Sequence, residues 1–212
     1  MNAAELRQLL DLALTRLQDS TDELRDLDAA IGDGDLGVTV GGGARAVLDA
    51  LGELPDSAGI GDVLRTVAKS FASARPSTIS ALVAAALLAA SRRLTDPGDL
   101  DRDGCVLLLQ TSIETIQARG GAQLGDKTIL DAMSPSLDAL VASGPDNRAA
   151  LAAMIEAADR AVVETAQLQS GRGRAAWVGE RTIGHPDGGA TAYLRFLEAL
   201  ADGLGSPAAG RA

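Results

Sequence analysis

Leu27-Asp28-Ala29-Ala30-Ile31-Gly32-Asp33-Gly34-Asp35-Leu36-Gly37-Val38-Thr39 places three carboxylates within eight residues, with glycines between and after them. The stretch joins two helical patterns. Leu24 and Leu27 lie on the apolar side of the helix before it, and Ala44, Val47, Leu48 and Leu51 on that of the helix after it. Asp28 therefore comes off a helix end, while Asp33 and Asp35 come off a glycine-bent loop. Crowded carboxylates repel one another, and a cation relieves the repulsion. Glycine reaches backbone angles that let the acids fold around one point. Hard oxygen donors of this kind suit magnesium, which keeps its remaining positions for water and phosphate. A plain acidic turn between helices is the alternative reading of the same residues.

Helical periodicity continues outward in both directions. Leu6, Leu9, Leu10, Ala13 and Leu17 share a face, and Ser20 with Glu23 has capping-box spacing ahead of the second helix. A third helix is expected from about Val38 to Leu51. Val63, Leu64, Val67, Phe71 and Ala74 mark a fourth, broken at Pro76, and Ile79 to about Arg92 is apolar nearly all round, as a buried helix is. Further helices are expected near 103–118, on Ile129 to Leu140 with a bend at Pro135, on 147–169, and on Ala192 to Leu200. No stretch alternates as a strand does. The expected fold is all-α: an up-and-down antiparallel bundle or closed barrel of about eight helices.

Composition fits that reading. The 212 residues suffice for one domain with a full core, expected over 1–205 with a frayed tail at 206–212. Phe71, Trp177, Tyr193 and Phe196 are the whole aromatic complement, so Leu, Ala and Val must build the core. A net charge of −10 argues against a nucleic-acid surface, which needs clustered cations. The single Cys105 excludes an internal disulfide, and the single His185 excludes a zinc site of several imidazoles. No signal peptide and no membrane span is visible, so the cytoplasm is the expected location.

In an up-and-down bundle, alternate loops fall at one end. Four of them carry chemistry: the Asp28–Asp35 loop, the Ser77–Thr78 break, the Gly120–Lys127 segment, and the irregular Ser170–Gly188 stretch. Ser77 and Thr78 precede a helix, where free N–H groups bind anions and where such residues also serve as caps. Gly171-Arg172-Gly173-Arg174 offers guanidiniums as a phosphate clamp. The connectors near Pro55 and Pro97 carry no such groups.

Taken together, Asp28 with Gly32-Asp33-Gly34-Asp35-x-Gly37, Gly125-Asp126-Lys127-Thr128 with Asp131, Gly173-Arg174-Ala175 with Gly179-Glu180-Arg181, and Gly184-His185-x-Asp187-x-Gly189-Ala190 resemble the L subunit of dihydroxyacetone kinase. The matches keep the family's order over about residues 20–200. The resemblance implies a barrel of about eight helices holding a nucleotide, ATP or ADP, and two magnesium ions at one end. It makes Asp28, Asp33 and Asp35 the metal ligands and, with Arg174, the catalytic set. It places Leu36, Gly37, Val38 and Thr39 along the phosphates, with Ser77 and Thr78 as a second phosphate turn. Gly120 and Ile129 would border the adenine, and Arg174, Asp187, Gly188 and Gly189 would complete the nucleotide contacts. The chain departs from the family at Leu36, Thr39, Ile79 and Gly188, all beside the phosphate positions.

The activity implied is phosphoryl transfer from a magnesium nucleotide to a short ketose held by a separate K subunit. A phosphotransferase-system protein could recharge a retained ADP, and a second copy of the chain is a further partner. A nucleotide-loaded regulatory module docking on a transcription factor or kinase partner is the competing reading.

Overall fold

The computed structural model describes residues 1–94 and 98–205. The first three positions of the loop expected at Thr95-Asp96-Pro97-Gly98-Asp99, and the tail 206–212, lie outside the described residues. Nine α-helices and no strand are present among the described residues. They are α1 Ala3–Leu17, α2 Thr21–Ile31, α3 Leu36–Gly52, α4 Ile60–Ala74, α5 Thr78–Arg93, α6 Arg102–Gly120, α7 Ile129–Ala142, α8 Asn147–Thr165 and α9 Gly188–Gly205. A 3-10 turn, Gln18–Ser20, joins α1 to α2, and a second 3-10 segment, Arg174–Thr182, lies within the stretch expected to be irregular.

Neighbouring helices close a ring. Packing runs from α3 through α4, α5 and α6 to α7, then from α7 to α9, from α9 to α1, and from α1 back to α3. α8 packs on α7 and α9, and α2 packs on α3 and α9. Leu10, Leu14, Leu24, Val40, Val47, Val63 and Leu64 form one core between α1 and α4. Leu109, Ile113, Ile116, Leu130 and Met133 join α6 to α7, while Ala158, Ala161, Val162, Leu194 and Leu197 join α8 to α9. Aliphatic side chains and alanines do the packing, as an aromatic-poor composition requires.

Helix starts follow local sequence where caps are available. Ser77 accepts from Ser80 N at 3.2 Å, and the Ser80 hydroxyl accepts from Ser77 N at 2.9 Å. The capping box expected at Ser20 and Glu23 does not form. Glu23 instead takes two hydrogen bonds from Arg195, both 2.7 Å, tying α2 to α9. α3 begins two residues earlier than expected, at Leu36, and α7 continues through Pro135. Among the described residues no helix is long and apolar enough to cross a membrane.

Candidate metal and nucleotide site

Asp28 sits in the last turn of α2, where it is half-buried, and Gly32 ends that helix by donating to Asp28 O at 2.5 Å. A side chain at Gly32 would collide with the Asp28 carboxylate. Gly34 then takes φ +75°, in the left-handed region, which turns the loop so that Asp33 and Asp35 face back toward Asp28. One carboxylate oxygen from each of the three acids lies within 4.8 Å of the others. Leu36 N, at the start of α3, donates to Asp28 Oδ2 at 3.3 Å and fixes the half-buried member of the set.

Gly37 has a structural role beyond the expected phosphate contact. A Cβ there would strike the Thr21 carbonyl and lie 2.9 Å from Arg25 N, so α2 can cross α3 closely only at a glycine. That crossing sets where Asp28 stands. Gly37 and the exposed Val38 also line a groove of about 280 Å³ with Arg25 and Arg75. Thr39 is buried within α3, so its hydroxyl is directed inward rather than to the surface.

Arg174 reaches the acids from the other end of the sequence. Its Nη1 pairs with Asp33 and lies 3.3 Å from Asp35 Oδ2. The expected phosphate clamp is therefore in direct contact with two of the expected metal ligands. The other predicted positions converge by packing. A Cβ on Gly188 would lie 2.7 Å from Leu36 Cδ2, and one on Gly189 would lie 3.5 Å from Ile129 N. The N-termini of α3, α7 and α9 thus meet. Gly120 ends α6 beside Leu82 of α5, so Ser77 and Thr78 share this end by topology, and their side-chain hydrogen bonds stay within the α5 cap. Ile79, where the family has a glycine, packs into the core between α1 and α4.

Asp187 caps α9, accepting from Ala190 N at 2.7 Å, while its own N–H donates to Thr165 Oγ1 at 2.9 Å. Desolvation pushes its carboxyl up to about 7, with the Ala190 N–H opposing that shift. Asp187 therefore shapes the turn, and Gly188 and Gly189 present the backbone.

Two residues of the Gly125–Thr128 motif do more than their sequence indicated. Asp126 accepts from Gln123 N at 2.9 Å and from Arg172 Nε at 3.0 Å, and these partners hold its carboxyl below the usual range. Lys127 is 1% exposed and has φ +61°. The one signal in the sequence is scarcity: Lys69 and Lys127 are the only lysines among 19 basic residues.

Comparison with known proteins agrees with the helical fold. A DAK2 domain model matches residues 30–202. An L-erythrulose 1-kinase of Mycolicibacterium smegmatis is 35% identical over 192 residues, 88% of this chain and 33% of that protein. The ADP-binding subunit DhaL of PEP-dependent dihydroxyacetone kinase 1 from Listeria innocua is 31% identical over 195 residues, covering 92% of this chain and 93% of the subunit. The crystal structure of the dihydroxyacetone kinase from C. freundii in complex with AMP-PNP and Mg2+ superposes with a TM-score of 0.77 at 26% identity. That match covers 95% of this chain and 34% of the kinase. The chain spans about a third of the erythrulose kinases it matches and nearly all of the Listeria subunit. The chain belongs to the DAK2-domain family. The resemblance to L-type subunits and the all-helical fold expected from the sequence are both borne out.

Proposed function

We propose that residues 1–205 form the nucleotide-binding, phosphoryl-transferring part of a short-ketose kinase, acting in the cytoplasm with a separate substrate-binding K-type subunit. One observation carries this reading: three carboxylates converge, with oxygens within 4.8 Å, at an end of the ring where helix N-termini meet. The donor set fits magnesium, since all three donors are hard oxygens and two of the acids are exposed enough to leave coordination positions for water and phosphate. Asp28, Asp33 and Asp35 would hold the metal, two ions in this reading, and magnesium supplies charge neutralisation of the nucleotide phosphates.

The chain's own residues supply position. In the first turns of α3 and α5, the N–H groups other than those of Leu36, Thr39 and Ser80, which Asp28, Asp35 and Ser77 already hold, suit phosphate oxygens. Leu36, Gly37, Val38 and Thr39 line the first of these turns, and Ser77 with Thr78 the second. Arg174 offers a planar guanidinium to the charge that spreads over the transferred phosphoryl group. Gly120 and Ile129 border the base, and Gly188 and Gly189 let backbone approach the ligand. Phosphoryl transfer depends on alignment and electrostatics, which this set provides.

Support from relatives is of two kinds. Some bear names of ADP-binding subunits described as PEP- or PTS-dependent, and others are erythrulose kinases of which this chain covers about a third. The first kind supports ADP retained on the subunit and rephosphorylated there by a phosphotransferase-system protein. The experiment is reconstitution: the purified chain, a K-type subunit, magnesium, a phosphoryl donor and a panel of short ketoses. Transfer that needs both chains supports the proposal. Tight nucleotide binding with no transfer to any ketose would favour a regulatory module instead.

A further inference from the structure

The stretch between α8 and α9 carries Arg174, and nothing in its own sequence fixes it against Asp35, 139 residues away. Its base, however, is held by two adjacent residues of the turn before α7. Asp126 takes the entry: Gly171 N donates to Asp126 O at 2.9 Å, and Arg172 Nε donates to its carboxylate at 3.0 Å. Lys127 takes both flanks: its Nζ donates to Leu168 O at 3.0 Å and to Thr182 O at 2.5 Å. Leu168 precedes the loop and Thr182 closes its 3-10 segment. Ser170 N also donates to Thr182 Oγ1 at 2.9 Å, drawing the same two strands of chain together.

The ammonium is costly where it stands. Burial pushes its pKa down, with only the charge of Asp187 acting the other way. A non-glycine residue at φ +61° adds backbone strain. Both costs are met at one position to place three N–H donors between two carbonyls, a charge-assisted arrangement stronger than a neutral one.

We propose that Lys127 is a positioning residue whose buried ammonium clasps the loop 168–182 and thereby holds Arg174 against Asp33 and Asp35. The role assigned to Arg174 rests on the function proposed above; the clasp itself does not. Closing the loop at its base removes most of the freedom that its ends would otherwise have. Arg174 then arrives at the carboxylates already oriented, and the exposed Trp177 rides on the same segment.

The loop carries its own probes. Trp177 is the chain's only tryptophan, and Arg172, Arg174 and Arg181 are trypsin sites within it. The experiment compares the full chain with Lys127→Met and Lys127→Gly, all free of nucleotide, by Trp177 fluorescence anisotropy, the rate of tryptic cleavage in the loop, and far-UV circular dichroism. Losing a buried charge-assisted bond should raise cleavage about tenfold and lower the anisotropy in both variants, with helicity kept. Wild-type behaviour of both variants would overturn the clasp. Wild-type behaviour of Lys127→Gly alone would also overturn it, because the left-handed angle rather than the amine would then be what matters. Loss of helicity in both variants would make Lys127 a support of the helical ring and overturn the clasp as well. Failure of the wild-type chain to bind nucleotide would sink the proposed function while leaving the loop result standing.

Discussion

At one end of the ring the N-termini of α3, α5, α7 and α9 gather with Asp28, Asp33 and Asp35; at the other, the C-termini of α3, α7 and α9 each receive an arginine. Arg7 Nη2 donates to Leu51 O at 2.9 Å, Arg102 to Ser143 O at 2.6 Å and Gly144 O at 2.8 Å, and Arg148 to Leu204 O at 2.9 Å. Helix C-termini leave carbonyls unpaired and carry partial negative charge, so guanidiniums there complete the fold. Helix N-termini carry partial positive charge and free N–H groups, so the opposite end is prepared for anions. The three acids placed among those N-termini then suit an anion that arrives with its own cations. One end has its carbonyls satisfied by arginines of the chain; at the other, Ser77, Thr128 and Asp187 cap part of the N–H groups, and the acids beside the remaining ones suit a ligand.

The sharpest way to break this contrast is Gly37→Ala. Its Cβ would meet Thr21 and Arg25 backbone, so α2 must move and carry Asp28 with it. The expected result is a loss of about 3 kcal/mol of stability together with weakened magnesium-dependent nucleotide binding. Urea unfolding and calorimetry measure the two effects. Arg102→Ala tests the other end. It strips partners from the carbonyls after α7 and should cost about 2 kcal/mol while leaving nucleotide affinity unchanged. A change in affinity would mean that the two ends are not separable.

A pH-dependent effect sharpens the boundary between fold and site at Asp187. Its folded-state pKa is raised from 3.8 to about 7, so between these values the native state binds more protons than the unfolded chain. Stability contributed by this group therefore falls as pH rises through that window, by at most about 1.4 kcal/mol per pH unit. Asp187→Asn keeps an N-cap acceptor and should flatten that slope. Urea midpoints across the window, wild type against variant, check it.

Much of this was legible in the chain itself. The helix faces follow from apolar spacing, and the acid cluster comes from residues close together in sequence, where the glycines allow convergence but fit a plain acidic turn as well. What was hidden depends on partners far apart. Glu23 has capping-box spacing yet pairs with Arg195, 172 residues away. Arg174 resembles a phosphate clamp, but its contact with the acids is a property of the folded loop. Lys127 lies in a loop motif before α7, and only tertiary packing buries it. Gly37 reads as a ligand-facing glycine, while the crossing of α2 over α3 shows a second demand on it.

The central claim is that Asp28, Asp33 and Asp35 hold the cation that carries the nucleotide. Its most direct test is calorimetric titration of ADP into the wild-type chain and Asp33→Asn, each with and without magnesium, alongside far-UV circular dichroism. The account predicts magnesium-dependent binding by the wild type, and binding weakened about a hundredfold in the variant at unchanged helicity. Binding of ADP by Asp33→Asn with undiminished magnesium dependence would contradict it.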